Sequence, residues 1–372
     1  MKTMWTILFM VMPLIAMAYV GRHVWILLPF SALWKSAIII VCVLSFVLLF
    51  LNFGRRFDCL PLPLARVAYE VGTSSIFVLL YLVMLFLVLD LGRLCHVVPK
   101  SLLCSNANMA IGVLLFIFGL FIYGNLHYNN KVRVELKLPS QKYLKKDYKV
   151  VMASDLHIGY HNSRKELARW IDLMNAENPD FILIAGDIID GSMRPILEDN
   201  MVDEFRRLKA PVYACLGNHE FYAGNIQARE FYKKAGLHLL VDEFVVIDNC
   251  IAIVGRDDQT NIRRKPIEEL VTEIASDSLS ANPLYTIILD HQPYHLERVE
   301  KAGADFQLSG HTHRGQVWPI SWITDYLYEC SWGSHQRGTT RYYVSSGLGI
   351  WGGKFRIGTQ SEYVVATIKS KR

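Results

Sequence analysis

Hydrophobic and polar positions follow two different patterns in the two parts of this chain. Long apolar runs dominate as far as Gly124, whereas beyond Asn130 short apolar runs alternate with charged residues and glycine-containing turns. The second pattern is typical of water-soluble α/β domains. We therefore predict a transmembrane region of about four helices at 1–125, a juxtamembrane linker at 126–145 and an α/β domain at 146–372.

Four apolar stretches are long enough, or nearly so, to cross a hydrocarbon core, which needs roughly 17–25 helical residues. They are Met4–Val20, Ser36–Phe53, Thr73–Leu91 and Ala107–Gly124. Lys2 before the first stretch resembles the start of a signal peptide, but three further stretches favour a retained multi-pass region in an inner or plasma membrane. Charge is nearly absent within the stretches, which favours an anchor over a transporter.

Basic residues next to the predicted spans bear on orientation. With four spans both termini share a side, and more Lys and Arg residues flank that side than the other. The seven on the side of the termini are Lys2, Arg55, Arg56, Arg66, Lys131, Arg133 and Lys137, and the four on the other are Arg22, Lys35, Arg93 and Lys100. Because cytoplasmic loops are enriched in basic residues, the count favours a cytoplasmic α/β domain.

Charge and cysteine content argue against nucleic-acid binding and against a cysteine-based structural site. The formal net charge is +5, and the basic residues are scattered among carboxylates rather than gathered on one surface. Nucleic acid is therefore not an expected partner, whereas the lipid bilayer is. The seven cysteines contain no CxxC pair. Neither a zinc knuckle nor a disulfide scaffold fits that spacing.

Short apolar runs in the second half predict buried strands, each ending at polar residues. The five such strands are Tyr148–Ser154, Phe181–Ala185, Val212–Leu216, Tyr285–Leu289 and Asp305–Leu308. A helix capped by Asn162 or Ser163 separates the first two and predicts a parallel crossover. Further strands at Ile251–Val254, Tyr342–Ser345 and Tyr363–Ile368 would complete a second sheet. We expect two packed sheets flanked by helices.

Metal-binding residue types follow those five strands. They are Asp155, His157, Asp187, Asn218, His219, His291, His311 and His313. Oxygen and imidazole donors without thiolate suit Mn, Fe or Zn at a hydrolytic site. A single motif of this kind is more often a turn or cap, but strand ends of α/β sheets converge, so five of them favour one site. Two cations there would clamp a phosphate and lower the pKa of a bound water.

Five motifs together resemble the calcineurin-like metallophosphoesterases, whose pattern is DxH, GDxxD, GNH(D/E), H and GHxH. The pattern is met by Asp155-Leu156-His157, Gly186–Asp190, Gly217–Glu220, His291 and Gly310–His313. The resemblance covers roughly residues 148–370. It implies a four-layer αββα sandwich. The GHTHRGQ sequence and the apolar first half also resemble a branch of membrane-associated bacterial phosphodiesterases and transmembrane proteins with this domain.

The resemblance also implies roles for individual residues. One metal ion would bind Asp155, His157, Asp187 and His313, and the second Asp187, Asn218, His291 and His311. His219 would then protonate the leaving oxygen as general acid, with Asp190 orienting its imidazole. A metal-bridging hydroxide would attack in line.

Three polar residues and one apolar segment have less specific signals. Arg314 and Gln316 follow the HxH motif and Arg256 follows a predicted strand, so each is a candidate for substrate contact, with an ordinary surface pair as the equal alternative. The segment Val317–Tyr328, which contains Trp318, Trp322, Tyr326 and Tyr328, is unusually apolar for a loop beside the site. We expect it to rest on the bilayer, line an acyl-chain entrance or pack against the domain.

Three functions are compatible with these features. The first is metal-dependent hydrolysis of a phosphodiester or pyrophosphate bond in a lipid-linked or membrane-associated substrate, with two divalent ions (Mn, Fe or Zn) as cofactors. The same ligand set would also serve a phosphomonoesterase or protein phosphatase. A non-catalytic membrane scaffold is disfavoured because every expected metal and acid position is present.

Overall fold

The computed structural model describes residues 2–52, 55–277 and 282–370, and the side chains of 11–52, 55–276 and 282–370. The chain forms two compact units, which are described separately. The first, the helical unit, consists of Met1–Asn125 and Gly352–Lys354. The second, the sheet unit, consists of Leu126–Trp351 and Phe355–Arg372.

The helical unit is built from long apolar helices. Its helices are α1 (Lys2–Leu27), α2 (Ala32–Asn52), α3 (Leu62–Leu94), α4 (Lys100–Leu103) and α5 (Ala107–Asn129), whose last turn belongs to the sheet unit. By length and composition, α2, α3 and α5 are able to cross a membrane, and Val11–Leu27 is a shorter apolar stretch of α1. Phe53, the last residue of one predicted span, lies outside the described residues.

Polar side chains inside the helical unit form one cluster that the apolar pattern did not predict. Asp90 of α3 accepts a hydrogen bond of 2.8 Å from the Tyr19 hydroxyl of α1. The buried His23 lies beside it, with Nε2 3.1 Å from Asp90 Oδ2. Partners on a neighbouring helix allow these groups to sit among apolar helices, where an unpaired polar group is costly.

The sheet unit alternates strands and helices. Its strands are β1 (Lys131–Pro139), β2 (Tyr148–Ala153), β3 (Phe181–Ala185), β4 (Val212–Cys215), β5 (His238–Leu239), β6 (Glu243–Ile247), β7 (Ile251–Gly255), β8 (Tyr285–Leu289), β9 (Phe306–Ser309), β10 (Gly333–Arg337), β11 (Thr340–Val344) and β12 (Ser361–Lys369). Its helices are α6 (Arg164–Ala176), α7 (Arg194–Glu198), α8 (Val202–Phe205), α9 (Asn218–Ala223), α10 (Asn225–Ala235), α11 (Ile267–Asp277), α12 (Leu296–Ala302) and α13 (Ile320–Leu327). The strands predicted at Phe181–Ala185 and Tyr285–Leu289 match β3 and β8 in both bounds.

The strands form two six-stranded sheets with orders β1-β12-β2-β3-β4-β5 and β10-β11-β9-β8-β7-β6. In the first sheet β2, β3 and β4 are parallel neighbours, and in the second β7, β8 and β9 are. β1 pairs with β12 from Lys131 to Pro139. The range 126–145, predicted as a juxtamembrane linker, therefore contains the edge strand of the first sheet.

Three apolar clusters stack in layers around the sheets. One lies between the first sheet and helices that include α6 and α10, and a second fills the space between the sheets. The third packs α11 and α12 on the outer face of the second sheet. The result is the four-layer αββα sandwich that the motifs imply. Ser163 caps α6 in a capping box with Glu166, which settles the two predicted cap positions in favour of Ser163.

Candidate metal centre

The loops after β2 and β3 place their first polar residues in an unusual backbone conformation. Asp155, His157 and Asp187 have φ angles of 54°, 43° and 50°, and His311 and His313 have φ angles of 71° and 47°. This left-handed region is uncommon for residues other than glycine, and such strain concentrates at functional sites. The uncommon backbone conformations therefore coincide with the expected metal ligands.

One group of side chains gathers around Asp155. His157 Nε2 and His313 Nε2 lie 3.1 Å apart, and they lie 3.9 and 3.5 Å from Asp155 Oδ1. His157 Nε2 is also 3.6 Å from Asp187 Oδ2. The ligand atoms of Asp155, His157 and His313 are within 4.8 Å of one another, close enough to hold one metal ion.

A second group gathers around the other side of Asp187. His291 Nε2 is 3.1 Å from Asp187 Oδ2, and His311 Nδ1 is 2.9 Å from Asn218 Oδ1. Asp187, His291 and His311 again offer ligand atoms within 4.8 Å of one another. Asp187 therefore lies between the two groups, the position expected of a bridging ligand.

The hydrogen bonding of His291 tests whether a cation fits here. Its Nδ1 lies 2.8 Å from the Ala185 carbonyl oxygen, which only accepts, so this nitrogen carries the proton. In the neutral ring Nε2 then presents a lone pair to Asp187 Oδ2, and Nε2 has no hydrogen-bond partner. Two acceptors that face each other are stabilised by a cation between them. The donor set of nitrogen and oxygen atoms fits Mn, Fe or Zn.

The pKa values of three ligand histidines are shifted in different directions. Burial lowers two of them, and a nearby carboxylate raises the third. Burial, with nearby His291, lowers the pKa of His311 to about 4, and burial beside His157 holds the pKa of His313 well below its ordinary value. Both rings are therefore neutral at physiological pH, as metal ligands must be. Against its burial, Asp187 raises the pKa of His291 well above its ordinary value, because the carboxylate favours a positive charge at Nε2, which either a proton or a metal ion would supply.

His219 shares a third group of ligand atoms within 4.8 Å with His157 and Asp187, and it is also in contact with a further carboxylate. Its Nδ1 lies 3.1 Å from Asp190 Oδ1, and the same oxygen is 3.5 Å from His157 Nδ1. Against its burial, Asp187 and Asp190 raise the pKa of His219 to about 9, which favours the protonated ring. Asp190 thus contacts two imidazoles, whereas the motif implied only one.

Glu220 is a residue of the site whose role the sequence did not reveal. It is fully buried, and its carboxylate accepts backbone hydrogen bonds from Asp187, Ile189 and Gly217. Burial, and then nearby Asp187, raise the pKa of Glu220 to about 7. One side chain therefore joins the loop after β3 to the loop after β4.

Arg356 has a comparable role in the other half of the site. The side chain is fully buried, and its guanidinium donates to the carbonyl oxygens of His313, at 2.7 Å, and of Ser346. Burial lowers its pKa to about 10. The sequence contains no local signal for this contact, because residues 313 and 356 are far apart in the chain.

Two glycines of the motifs are required by close approach to the carboxylates. A Cβ atom on Gly217 would overlap Asp187 Oδ1, and one on Gly310 would overlap Asp155 Oδ2. Neither position has room for a side chain while the carboxylate stays in place. The glycines of GNHE and GHTH thereby set the positions of the expected ligands.

The three candidate substrate residues have different surroundings in the structure. Arg314 places its guanidinium carbon 4.1 Å from the ring centroid of Trp332, a cation–π arrangement. Gln316 is buried. Arg256 is buried too, and donates to Asp290 at 3.0 Å and to the Lys265 carbonyl at 2.7 Å. These contacts give Arg256 a structural role, so a substrate contact is not supported.

Comparisons with known proteins agree with this geometry. Residues 148–315 match the calcineurin-like phosphoesterase family. A metallophosphoesterase of Aquifex aeolicus is 31% identical over 236 residues, which are 60% of this chain and 86% of that protein. A metallophosphoesterase of Campylobacter jejuni is also 31% identical, over 64% of this chain and 63% of its own length. The chain thus spans just under two thirds of the Campylobacter relative.

Two further similarities concern architecture. A transmembrane protein with a metallophosphoesterase domain from Danio rerio is 24% identical over 78% of this chain and 71% of that protein. Among solved structures, a dimetal phosphatase from Danio rerio is 13% identical over 56% of this chain and 88% of its own, with a TM-score of 0.35. The structural similarity is too low to bear on function.

Proposed function

Because this chain belongs to the calcineurin-like phosphoesterase family, we propose that it is a metal-dependent hydrolase that cleaves a phosphodiester or pyrophosphate bond in a lipid-linked or membrane-associated substrate. The observation that carries the hydrolase assignment is the position of Asp187 between two ligand groups, 3.6 Å from His157 Nε2 and 3.1 Å from His291 Nε2. The observation that carries the substrate class is the set of three helices long and apolar enough to span a membrane.

We assign the two metal positions as follows. Asp155, His157, Asp187 and His313 would hold one divalent ion, and Asp187, Asn218, His291 and His311 the other. Two such ions neutralise phosphate charge and lower the pKa of a bound water. Mn, Fe and Zn are the candidates that this donor set favours.

The remaining polar residues of the centre would serve proton transfer and positioning. His219 is the general acid, since Asp187 and Asp190 favour its protonated ring and its Nδ1 lies 3.1 Å from Asp190 Oδ1. It donates that proton to the oxygen of the leaving group. Asp190 Oδ1 lies 3.1 Å from Nδ1, and this contact would direct Nε2 toward the substrate. Arg314, beside the ligand His313, is the remaining candidate for a phosphate contact.

The helical unit is the basis for the proposed position of the protein in a membrane. We propose a multi-pass anchor in an inner or plasma membrane, supported by α2, α3 and α5. With the apolar part of α1 as a fourth span, both termini share a side, and the excess of basic residues there supports a cytoplasmic sheet unit.

Two soluble chromogenic esters test the reaction class. The full chain in detergent, supplied with Mn, is compared on bis(p-nitrophenyl) phosphate and p-nitrophenyl phosphate. We expect the diester to be turned over with the higher kcat/KM. Turnover of the monoester alone would assign a phosphatase instead, and turnover of neither ester with full metal content would overturn the hydrolase proposal.

A further inference from the structure

The helix α13 exposes an apolar face on the surface of the sheet unit. Four of its large side chains, Trp322, Ile323, Tyr326 and Leu327, are 64%, 56%, 89% and 62% exposed. No other helix in the described part of the sheet unit exposes four large apolar side chains. Soluble surfaces rarely keep such a patch uncovered, so it marks a site of interaction.

The opposite face of α13 is held by the protein. Ser321 is buried, and Asp325, the only charged residue of the helix, accepts a hydrogen bond from Ser331. At 100° per residue, Ser321 and Asp325 share one side, whereas the four exposed residues share the other. The acidic group is therefore turned away from the apolar face.

Both ends of α13 are attached to the candidate metal centre. Three residues after the ligand His313, Gln316 leads into Val317 and the helix. After the helix, the ring of Tyr328 lies 6.4 Å from the ring of His311, and its hydroxyl is 2.8 Å from that of Tyr294. A surface on which α13 rests would therefore lie at the rim of the metal centre.

Chain connectivity favours a membrane as that surface. Val317 forms a bridge with Ile357, and the Trp318 amide donates to the Ile357 carbonyl at 2.7 Å. Ile357 follows three residues after Lys354, the last residue of the segment that belongs to the helical unit. The face also combines tryptophan and tyrosine with aliphatic residues, the composition typical of membrane interfaces.

We propose that α13, with Trp318 before it, inserts into the interfacial layer of a lipid bilayer and brings lipid-borne phosphoesters to the metal centre. The insertion itself does not rest on the proposed hydrolysis. In the inserted state, the aromatic rings of this face would lie at headgroup depth. Ile323 and Leu327 would contact acyl chains.

Insertion is tested by a fluorophore on the full chain in vesicles of phosphatidylcholine and phosphatidylglycerol. An NBD group is attached at Tyr326→Cys or, as the matched control, at Ile262→Cys, which is 94% exposed in the same unit. The background replaces by serine the cysteines of the helical unit, Cys42, Cys59, Cys95 and Cys104. We expect blue-shifted emission and quenching by doxyl-labelled lipids at position 326 alone.

Two results would overturn the proposal. In the first, the label at position 326 is as water-exposed as the one at 262. In the second, the label is shielded from water but not quenched by the lipids, and the shielding is lost at low protein-to-lipid ratio. The second result would assign the face to a second copy of this chain. Neither measurement requires enzymatic activity, so a failure here is distinguishable from a failure of the proposed hydrolysis.

A kinetic comparison tests the consequence for substrate delivery. The double variant Trp322→Ser/Tyr326→Ser is assayed on bis(p-nitrophenyl) phosphate and on p-nitrophenyl hexadecyl phosphate in the same vesicles. We expect turnover of the hexadecyl ester to fall by roughly tenfold or more, because burial of each large apolar side chain contributes a factor of that order. Turnover of the soluble ester should be unchanged. Equal loss on both esters, or no loss on either, would refute substrate delivery by α13.

Discussion

His219 Nδ1 lies 3.1 Å from Asp190 Oδ1, and that oxygen is shared with His157 Nδ1 at 3.5 Å. One buried carboxylate therefore orients both the proposed general acid and a proposed metal ligand. Because Asp190 occupies the Nδ1 side of each ring, the Nε2 atoms point into the centre. Loss of either imidazole should thus have distinct effects, on proton transfer in one case and on metal binding in the other.

Replacement of His219 by alanine should remove proton transfer and leave the metal ions in place. We expect kcat on a diester to fall by about 10²–10⁴-fold, the range typical of general acid–base catalysis. Metal content is measured by mass spectrometry of the purified protein. His295→Ala, at an exposed histidine, is the control. Undiminished turnover by His219→Ala would contradict the assigned role.

Asp187 lies near a histidine of each ligand group, at 3.6 Å from His157 Nε2 and 3.1 Å from His291 Nε2, so its loss should affect both metal positions. We expect Asp187→Ala to lose bound metal and all metal-stimulated hydrolysis. Chelation of the wild-type protein should have the same effect, with recovery on addition of Mn, Fe or Zn. The surface variant Asp172→Ala serves as the control, since its side chain is 62% exposed. A fully metallated Asp187→Ala protein would rule out a bridging position.

A methyl group at position 310 should disturb only one ligand group. In Gly310→Ala the new Cβ would overlap Asp155 Oδ2 and approach Ser154 Oγ to 2.6 Å. We expect the metal content to fall toward one ion per chain, with destabilisation of about 1–3 kcal/mol from overpacking. Gly191→Ala is the control, because a Cβ there meets no atom within 4 Å. Normal metal content in Gly310→Ala would show that the carboxylate is free to shift.

An ion pair away from the centre predicts a pH dependence of stability. Hydrogen bonds from Arg133 of β1 and from Lys149 lower the pKa of Glu177 to about 2. Because the folded pKa lies below the unfolded value, the stabilisation is complete above about pH 4.5 and is lost as the pH falls toward 2. We expect Glu177→Gln to cost about 1–2 kcal/mol at pH 7, a value reduced for the solvent screening of exposed Arg133.

Thermal unfolding of the wild type and Glu177→Gln between pH 7 and pH 2.5 measures that difference. The two Tm values should converge as the pH falls below about 4.5. The matched control is Glu297→Gln, at a glutamate whose partner is the exposed His295. A Tm difference that stays constant down to pH 2.5 would show that the charge of Glu177 is not the cause.

The sequence predicted the strands around the centre well because their signals are local. Each of the five buried strands is an apolar run that ends at a polar motif, and the structure brings those motifs together. It misplaced β1 as a linker, although the alternation of Val132, Val134, Leu136 and Leu138 with charged residues has the period of a strand. This alternation is present in the sequence, but it directly follows a long apolar helix, so the segment was interpreted as a linker.

Other features had no local signal to find. The carbonyl oxygens that Arg356 binds lie on loops distant in sequence, and no residue pattern marks a guanidinium that will be buried among them. Likewise, β5 has only two residues and β10 is polar throughout, so neither shows strand periodicity. Such elements form because neighbouring strands offer backbone partners rather than through their own apolar content.

The pairing of β1 with β12 has a consequence for biogenesis. The strand that follows directly on α5 leaves the ribosome early, yet its partner in the described sheet, Ser361–Lys369, is synthesised only after the intervening strands and helices. Until then the edge of β2 that β12 will cover is also open. Nascent or shortened chains that lack residues 361–369 would thus expose two unpaired strand edges, and chaperone capture or proteolysis would compete with completion of the sheet.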